Sequence, residues 1–567
     1  MARQVHDRTT PVEERLAVRT ASLPALRPTV GLLAAYLPLV VLAVVMAGCA
    51  VRIVAAERLT PHVDEAASVL AAHAVVERGV PVLPSGTVYF QGATLSYLLT
   101  PFVWLGFGGL EDLVVMRGVS VVAGTIAVYL VYRLGVAATR DERAGILAAL
   151  FVAMDPLSVQ WSGHVRMYGL LQALTIVFAW LLVQALRAPT PGVLASLVVV
   201  YWAAIFTHIE VALLWPVMAL ASLVAWRTWS GRTRWKWVGV LGLTACAPVA
   251  LLVLNELLGT ASVNTGAAAT SSKIGFVGDH LLAPLALLRN LRTDLNLSLM
   301  LRMNNAVWYV PGILVAAGTL AAAWSWRRRE ADQTYRLQRA AVAILFACYW
   351  VPVLGVGVFS ISPKERYLLH VHLIGYVLLA AFIVRLGGSA GFGRRARVWS
   401  VSLAAVMTLL LAIGLGWRLL DPVVHADHVA ATEYVADHRL GSEPVIAALP
   451  AVAGLLLDDQ DDLYFLAGSE NRSRAERLTR MTSAGLVDYW MGARAIVNAD
   501  TLERLLRDNP GAWVVVDRDR LAAEWAYEGD IAETLGEWTE PVYEAAGGAL
   551  VLRVPPERSA VERDAAP

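Results

Sequence analysis

Four short polar clusters interrupt an otherwise apolar sequence, and their residue types suit moving a proton and holding an anion. The first is His62-Val63-Asp64-Glu65-Ala66. Adjacent carboxylates offer a general base that can take a proton from an attacking hydroxyl. Asp64, Glu65 and His62 are also candidate ligands for a divalent cation such as Mg, Mn or Ca, although three donors within four residues is an unspecific spacing. A plainer reading is a helix start, where acidic residues in the first turn are favourable against the dipole. The second cluster runs Trp161-Ser162-Gly163-His164-Val165-Arg166-Met167-Tyr168. The third is Thr207-His208-Ile209-Glu210. The fourth is Ser362-Pro363-Lys364-Glu365-Arg366-Tyr367, with His370 just beyond. Arg166, Lys364 and Arg366 are cations suited to a phosphate, which arginine grips through two parallel N–H groups. The same cations could instead anchor anionic lipid headgroups. His164, Tyr168, His208, Glu210 and Tyr367 complete a set of candidate substrate-binding side chains.

These clusters must be positioned by helices that cross a bilayer. Of the 567 residues, 57% are hydrophobic and only 16% are charged, against roughly a quarter charged in ordinary soluble domains. Apolar runs long enough to span lie near 31–54, 114–137, 144–160, 168–187, 192–207, 209–226, 237–257, 305–326, 338–360, 366–386 and 397–419. The run Thr94–Phe107 is shorter, and counting it as a span would reverse everything downstream. Basic residues favour the cytoplasmic side. With Thr94–Phe107 read as a membrane-dipping or interfacial helix, Arg15, Arg19, Arg27, Arg140, Arg143, Arg227 to Lys236, Arg327 to Arg329, Arg394 and Arg395 fall together inside. The reading is therefore about eleven transmembrane helices, with a cytoplasmic tail over 1–29 and a membrane domain over 30–420. The first external loop covers 55–113, and a longer external loop covers 258–304. All four polar clusters then share the external face. Ionisable groups at membrane helix ends are costly unless paired or hydrated, so their convergence on one face reads as a site. For any single residue, a charge tolerated in a loop is an equally good account.

After Asp421 the composition turns polar. Strand-like runs at Val445–Leu449, Ala495–Val497, Trp513–Val516 and Ala549–Val554, with a helical stretch at Thr501–Arg507, read as an extracytoplasmic α/β domain over 421–555. A disordered tail is expected over 556–567. The acidic run Asp458, Asp459, Asp461 and Asp462 lacks EF-hand spacing and reads as a solvated loop. Cys49, Cys246 and Cys348 sit in apolar runs and read as small buried hydrophobes. Met46-Ala47-Gly48-Cys49 loosely resembles a lipoprotein cleavage box, but a retained signal anchor fits better. A net charge of +1 gives no footprint for nucleic acid. There is no P-loop and no dinucleotide fingerprint.

Asp64-Glu65-Ala66, Arg166-Met167-Tyr168, Thr207-His208 and Arg366-Tyr367-Leu368-Leu369, in that order, resemble the GT-C superfamily of membrane glycosyltransferases. Protein O-mannosyltransferases, the lipid A aminoarabinose transferase and mycobacterial cell-wall arabinofuranosyltransferases are members. The resemblance covers roughly residues 30–386. It implies a polyprenyl-phosphate sugar donor, a glycan, lipid or protein acceptor, and inverting single displacement at the external membrane face. It further implies that Asp64, with Glu65 beside it, is the base or a metal ligand, and that Arg166 and Arg366 hold the lipid phosphate. The chain departs from relatives that carry Arg-Glu-x-Arg-Met-Tyr, having Gly163-His164-Val165-Arg166-Met167-Tyr168 instead. Gln91-Gly92 stands where relatives often have His-Pro. Rival readings are a transporter or lipid flippase, disfavoured because no internal repeat is visible and the charges sit at span ends, and a non-catalytic membrane scaffold.

Overall fold

A computed structural model describes residues 27–62, 64–90, 92–229, 231–259, 309–326, 333–359, 365–388, 393–423, 425–457, 462–467, 479–483, 485–522, 527 and 529–556. Lys364, most of the 258–304 loop, Asp458, Asp459, Asp461 and the two expected tails, apart from a few residues, lie outside them.

The membrane region is built of α1 (Arg27–Arg58), α2 (Glu65–Arg78), α3 (Ala93–Trp104), α4 (Leu113–Thr139), α5 (Glu142–Met154), α6 (Pro156–Ser162), α7 (Tyr168–Arg187) and α8 (Pro191–Thr207). A 3-10 turn, Ile209–Leu214, leads into α9 (Trp215–Thr228). Then come α10 (Arg232–Gly259), α11 (Tyr309–Ser325), α12 (Gln333–Phe359), a second 3-10 turn Glu365–Leu368, α13 (Leu369–Gly387) and α14 (Gly393–Leu420). Within the described residues, helices occupy the eleven apolar segments expected from the sequence, that over 209–226 beginning as the 3-10 turn. Among the described residues seven are long and apolar enough to cross a bilayer alone, and the bent pair α5 and α6 makes an eighth. The chain is a multi-pass membrane protein. Helix α3 has 12 residues, about 18 Å at 1.5 Å per residue, well short of a bilayer core of roughly 30 Å. It exposes Tyr97, Leu98 and Trp104.

The break between α5 and α6 was not anticipated; the expected single span over 144–160 is instead bent by 62°. The cause is local. Pro156 cannot donate a backbone N–H, and it pushes the preceding residue out of helical conformation. Asp155 accordingly sits at φ −68°, ψ 115°, and its carboxylate caps α6 by accepting from the Ser158 N–H. After the bend, α6 ends at Gly163. A Cβ there would lie 2.9 Å from Leu59 Cδ1, so this glycine allows the close approach to the end of α1.

The C-terminal region adds α15 (His428–His438), β1 (Val445–Ala447), α16 (Pro450–Leu456), β2 (Leu463–Leu466), β3 (Thr479–Thr482), β4 (Gly485–Asp488) and β5 (Arg494–Ile496). It continues through α17 (Ala499–Asp508), β6 (Trp513–Asp517), α18 (Arg518–Leu521), α19 (Gly529–Trp538), β7 (Glu540–Ala545) and β8 (Ala549–Arg553). The strands form one sheet ordered β3-β4-β5-β2-β1-β6-β8-β7. Its centre, β5-β2-β1-β6, is parallel, and antiparallel pairs flank it. Successive strand residues face opposite sides. Trp513 and Val515 pack with Ala431, Val435 and Ala453 of α15 and α16, whereas Val514 and Val516 pack with Leu502, Leu506, Ile531 and Leu535 of α17 and α19. The first helical layer is shared with the membrane region: Ala451 and Val452 of α16 join the core that holds Ala66 to Ala72 of α2. Two further contacts fasten the segment between α2 and α3 to this domain. Ser85 Oγ donates to the Tyr489 carbonyl at 2.6 Å, and Arg480 packs on Gly86.

Candidate active site

Asp64 precedes the first residue of α2, yet its side chain makes no capping hydrogen bond. The helix-start reading is therefore not the use to which this carboxylate is put. Oδ2 instead lies 3.3 Å from Arg166 Nη2, 3.8 Å from Arg366 Nη1 and 3.8 Å from His62 Nδ1. The side chain keeps 23% of its surface exposed. The first, second and fourth sequence clusters thus meet at one carboxylate. Burial works to raise this carboxyl, but Arg166, His62 and Arg366 outweigh it and hold it below the ordinary carboxylate range.

Arg166 is fixed by its neighbours. Nη1 donates to the Asp64 carbonyl at 3.0 Å, Ser68 Oγ at 3.3 Å and Tyr89 Oη at 2.7 Å, and the guanidinium lies 5.9 Å from the centre of the Tyr168 ring. Arg366 is looser and more exposed. It lies over Trp161 at 5.6 Å and Tyr367 at 5.9 Å, contacts that orient a guanidinium without consuming its donors. The third cluster closes the same space: His208 packs 5.8 Å from Tyr168 and 6.2 Å from Tyr367, with Nδ1 3.5 Å from Glu210 Oε2. His164 is fully buried; its Nδ1 approaches Glu65 Oε2 at 3.3 Å, and its Nε2 has no hydrogen-bond partner among the described residues. Of the candidates chosen by sequence, Lys364 alone lies outside the described residues.

Glu65 faces the opposite way from Asp64. It is buried, and Arg117 grips it bidentately at 2.9 and 2.8 Å. The backbone N–H groups of Val165 and His62 donate to it at 2.6 and 2.7 Å. Burial works to raise the Glu65 carboxyl, but Arg117 and His164 hold it well below its ordinary range. Arg117 also donates to the carbonyls of Ala56 and Leu59, so this pair ties the end of α1, the start of α2 and the 163–167 turn into one unit. The divalent-cation set suggested by sequence does not form. Both Glu65 oxygens are committed, His62 Nδ1 accepts the Asp64 N–H at 3.1 Å, and Asp64 is ringed by cations. Among the described residues no three His, Cys, Asp or Glu side chains gather as a cation site.

Three contributors were missed from sequence. Tyr89 and Trp161 flank the arginines, and His425 reaches the site from the linker after α14. The His425 ring meets the His62 ring edge-on at 4.5 Å. A Cβ at Gly547 would lie 2.5 Å from the His425 carbonyl, so this β7–β8 turn holds the linker against the site. Burial pushes the His425 imidazole down to about 4, with His164 and Arg366 adding to the effect and Asp64 and Asp517 opposing it. Burial likewise holds His62 well below its ordinary value. An imidazole depressed on folding binds fewer protons than the unfolded chain, whose value is about 6.5. Stability at this junction is therefore full above about pH 6.5 and falls as pH drops toward 4. Asp64 and Glu65, depressed carboxylates, hold their contribution until lower pH. The melting midpoint in detergent is expected to decline between pH 7 and 4.5, with a shallower decline in His425→Gln; an equal slope in both proteins would dissociate His425 from the effect.

No protein-family model and no curated protein sequence matches the chain. Solved structures do. The apo structure of ArnT from Cupriavidus metallidurans aligns with a TM-score of 0.51 at 14% identity, over 90% of this chain and 97% of that one. ArnT bound to undecaprenyl phosphate gives 0.52 at the same identity and coverage. EmbB from Mycobacterium smegmatis gives 0.43 at 12% identity, over 80% of this chain and 41% of that one. At such identity the likeness to ArnT is one of fold alone: the chain shares the architecture of that structure over 90% of its length.

Proposed function

We propose that the protein transfers a sugar from a polyprenyl-phosphate donor to a hydroxyl of a glycan, lipid or protein acceptor at the extracytoplasmic membrane face. The observation that carries this reading is the carboxylate of Asp64, free of capping duty and partly exposed, set between the guanidinium groups of Arg166 and Arg366. A base beside an anion cradle is what displacement of a phosphate by a hydroxyl requires. The acceptor oxygen forms its bond to the anomeric carbon with inversion, and the bond to the phosphate oxygen breaks with its electron pair. Asp64 takes the hydroxyl proton, and Arg166 and Arg366 stabilise the charge gathering on the leaving phosphate. A phosphate is already a weak base, so no general acid is needed.

Glu65 acts as a positioning residue, since its oxygens are occupied by Arg117 and two backbone amides. Tyr168, His208, Glu210 and Tyr367 line the space beside the arginines and suit sugar hydroxyls. The fold shared with ArnT, one structure of which is bound to undecaprenyl phosphate, supports the class of donor. The basic cytoplasmic loops support an N-terminus inside and the α/β domain outside.

The test is incubation of the purified protein with labelled polyprenyl-phosphate sugars and mixed cell-envelope acceptors. Label appearing on an acceptor with inverted anomeric configuration, with release of polyprenyl phosphate, is the expected result. Transfer from nucleotide sugars instead would contradict it.

A further inference from the structure

We infer that a buried polar knot beneath the site, formed by Arg52, Ser158, Asp155, Tyr376 and His372, sets the spacing between the charged residues that hold the donor. The inference rests on the phosphate-binding reading above. All five side chains are buried inside the apolar helix bundle. Arg52 Nη2 donates to Ser158 Oγ at 3.0 Å and to the Val152 carbonyl at 3.2 Å, and Nη1 donates to the Gly48 carbonyl. Ser158 Oγ donates in turn to Gln172 Oε1 at 2.9 Å. Asp155 accepts the Ser158 N–H at 2.8 Å on one oxygen and the Tyr376 hydroxyl at 2.9 Å on the other, with His372 Nε2 3.5 Å away. Gly124 makes room: a Cβ there would lie 2.8 Å from Arg52 Nε.

Each strand of the knot belongs to a helix that delivers one site residue. Helix α1, carrying Arg52, runs into the loop that presents Asp64. Helix α6, capped by Asp155, runs into the turn that presents Arg166. Helix α13, carrying His372 and Tyr376, follows the 3-10 turn that holds Arg366. The 62° bend at Asp155 deprives α6 of helical continuity with α5, so side-chain contacts must set its direction. Ionisable groups in a bilayer core are retained at a cost, and a buried polar set is most costly when only partly satisfied. The mechanism leaves this set unused for chemistry; Asp64 is already open to the outside. The knot joins the three supports close to the ends that lead to the carboxylate and the two guanidinium groups. Its members are positioning residues.

The test compares wild type with Tyr376→Phe, which removes one hydroxyl and keeps the ring. Undecaprenyl phosphate in detergent micelles is the probe, titrated against each protein, with melting midpoints recorded in parallel. The expected result is roughly tenfold weaker lipid-phosphate binding in the variant, the scale of one hydrogen bond to a charged group, with a raised donor KM and an unchanged acceptor KM. Asp155→Asn, which removes the charge, should weaken binding further. Equal affinity in wild type and Tyr376→Phe, or a lower melting midpoint with affinity retained, would assign the knot to folding alone and overturn the inference. A wild-type protein that fails to bind the lipid phosphate would instead overturn the donor reading, and the inference with it.

Discussion

Asp64→Asn is expected to leave the protein folded and inserted while lowering sugar transfer by about 10²- to 10⁴-fold, the usual worth of a positioned general base. Asparagine keeps the shape of the side chain but has no lone pair basic enough to take the proton. The adjacent carboxylate cannot substitute: Glu65 is held by Arg117 at 2.8 and 2.9 Å and faces away. The variant should also retain donor affinity or gain some. In the wild type the carboxylate competes with a phosphate for Arg166 and Arg366, which lie 3.3 and 3.8 Å from it. Single-turnover transfer with prebound donor separates the two effects. Loss of turnover with intact binding is the expected pattern, and normal turnover would remove Asp64 from the mechanism.

Arg366→Ala is expected to raise the donor KM by roughly 10- to 100-fold, from the loss of one or two charge-assisted hydrogen bonds, with the acceptor KM within about twofold of wild type. Arg366 is the cleaner probe of the phosphate role. Arg166 also bonds Ser68, Tyr89 and the Asp64 backbone, so its removal would disturb the loop itself. Arg366 lies over Trp161 and Tyr367 with lighter ties. A second readout follows from electrostatics. The Asp64 carboxyl is held low partly by Arg366; without that cation its pKa rises. The acid limb of kcat/KM should therefore move to higher pH in the variant. Equal weakening of donor and acceptor, with an unmoved acid limb, would argue against Arg366 as a phosphate ligand.

Much of this arrangement is readable in the chain because membrane helices make charge conspicuous. Arg166, His208 and Arg366 stand at the ends of apolar runs where a small neutral residue would serve, and the structure brings all three to one place. The open Asp64 and the committed Glu65 could not be told apart, because adjacent carboxylates look alike until a partner is known. Arg117 was the available signal: an arginine within an apolar span needs a partner, and Glu65 is that partner. The Asp155-Pro156 pair inside a run read as one span likewise announced a break. His425 offered no such signal, since a histidine in a polar linker is unremarkable until the fold lays it on His62. In the C-terminal α/β region the apolar β1, β5, β6 and β8 coincide with expected strands. β2, the β3–β4 hairpin and β7 were missed: Leu463–Leu466 is a run of only four residues, and edge strands such as Thr479–Thr482 and Glu540–Ala545 carry mixed, partly exposed residues.

The central claim is that Asp64 and the two arginines receive the phosphate and anomeric carbon of a lipid-linked sugar. A structure of the protein with a polyprenyl phosphate bound tests this directly. The account predicts phosphate oxygens within hydrogen-bond reach of both Arg166 and Arg366, beside the Asp64 carboxylate. A phosphate seated on the opposite membrane face, or away from both guanidinium groups, would contradict it.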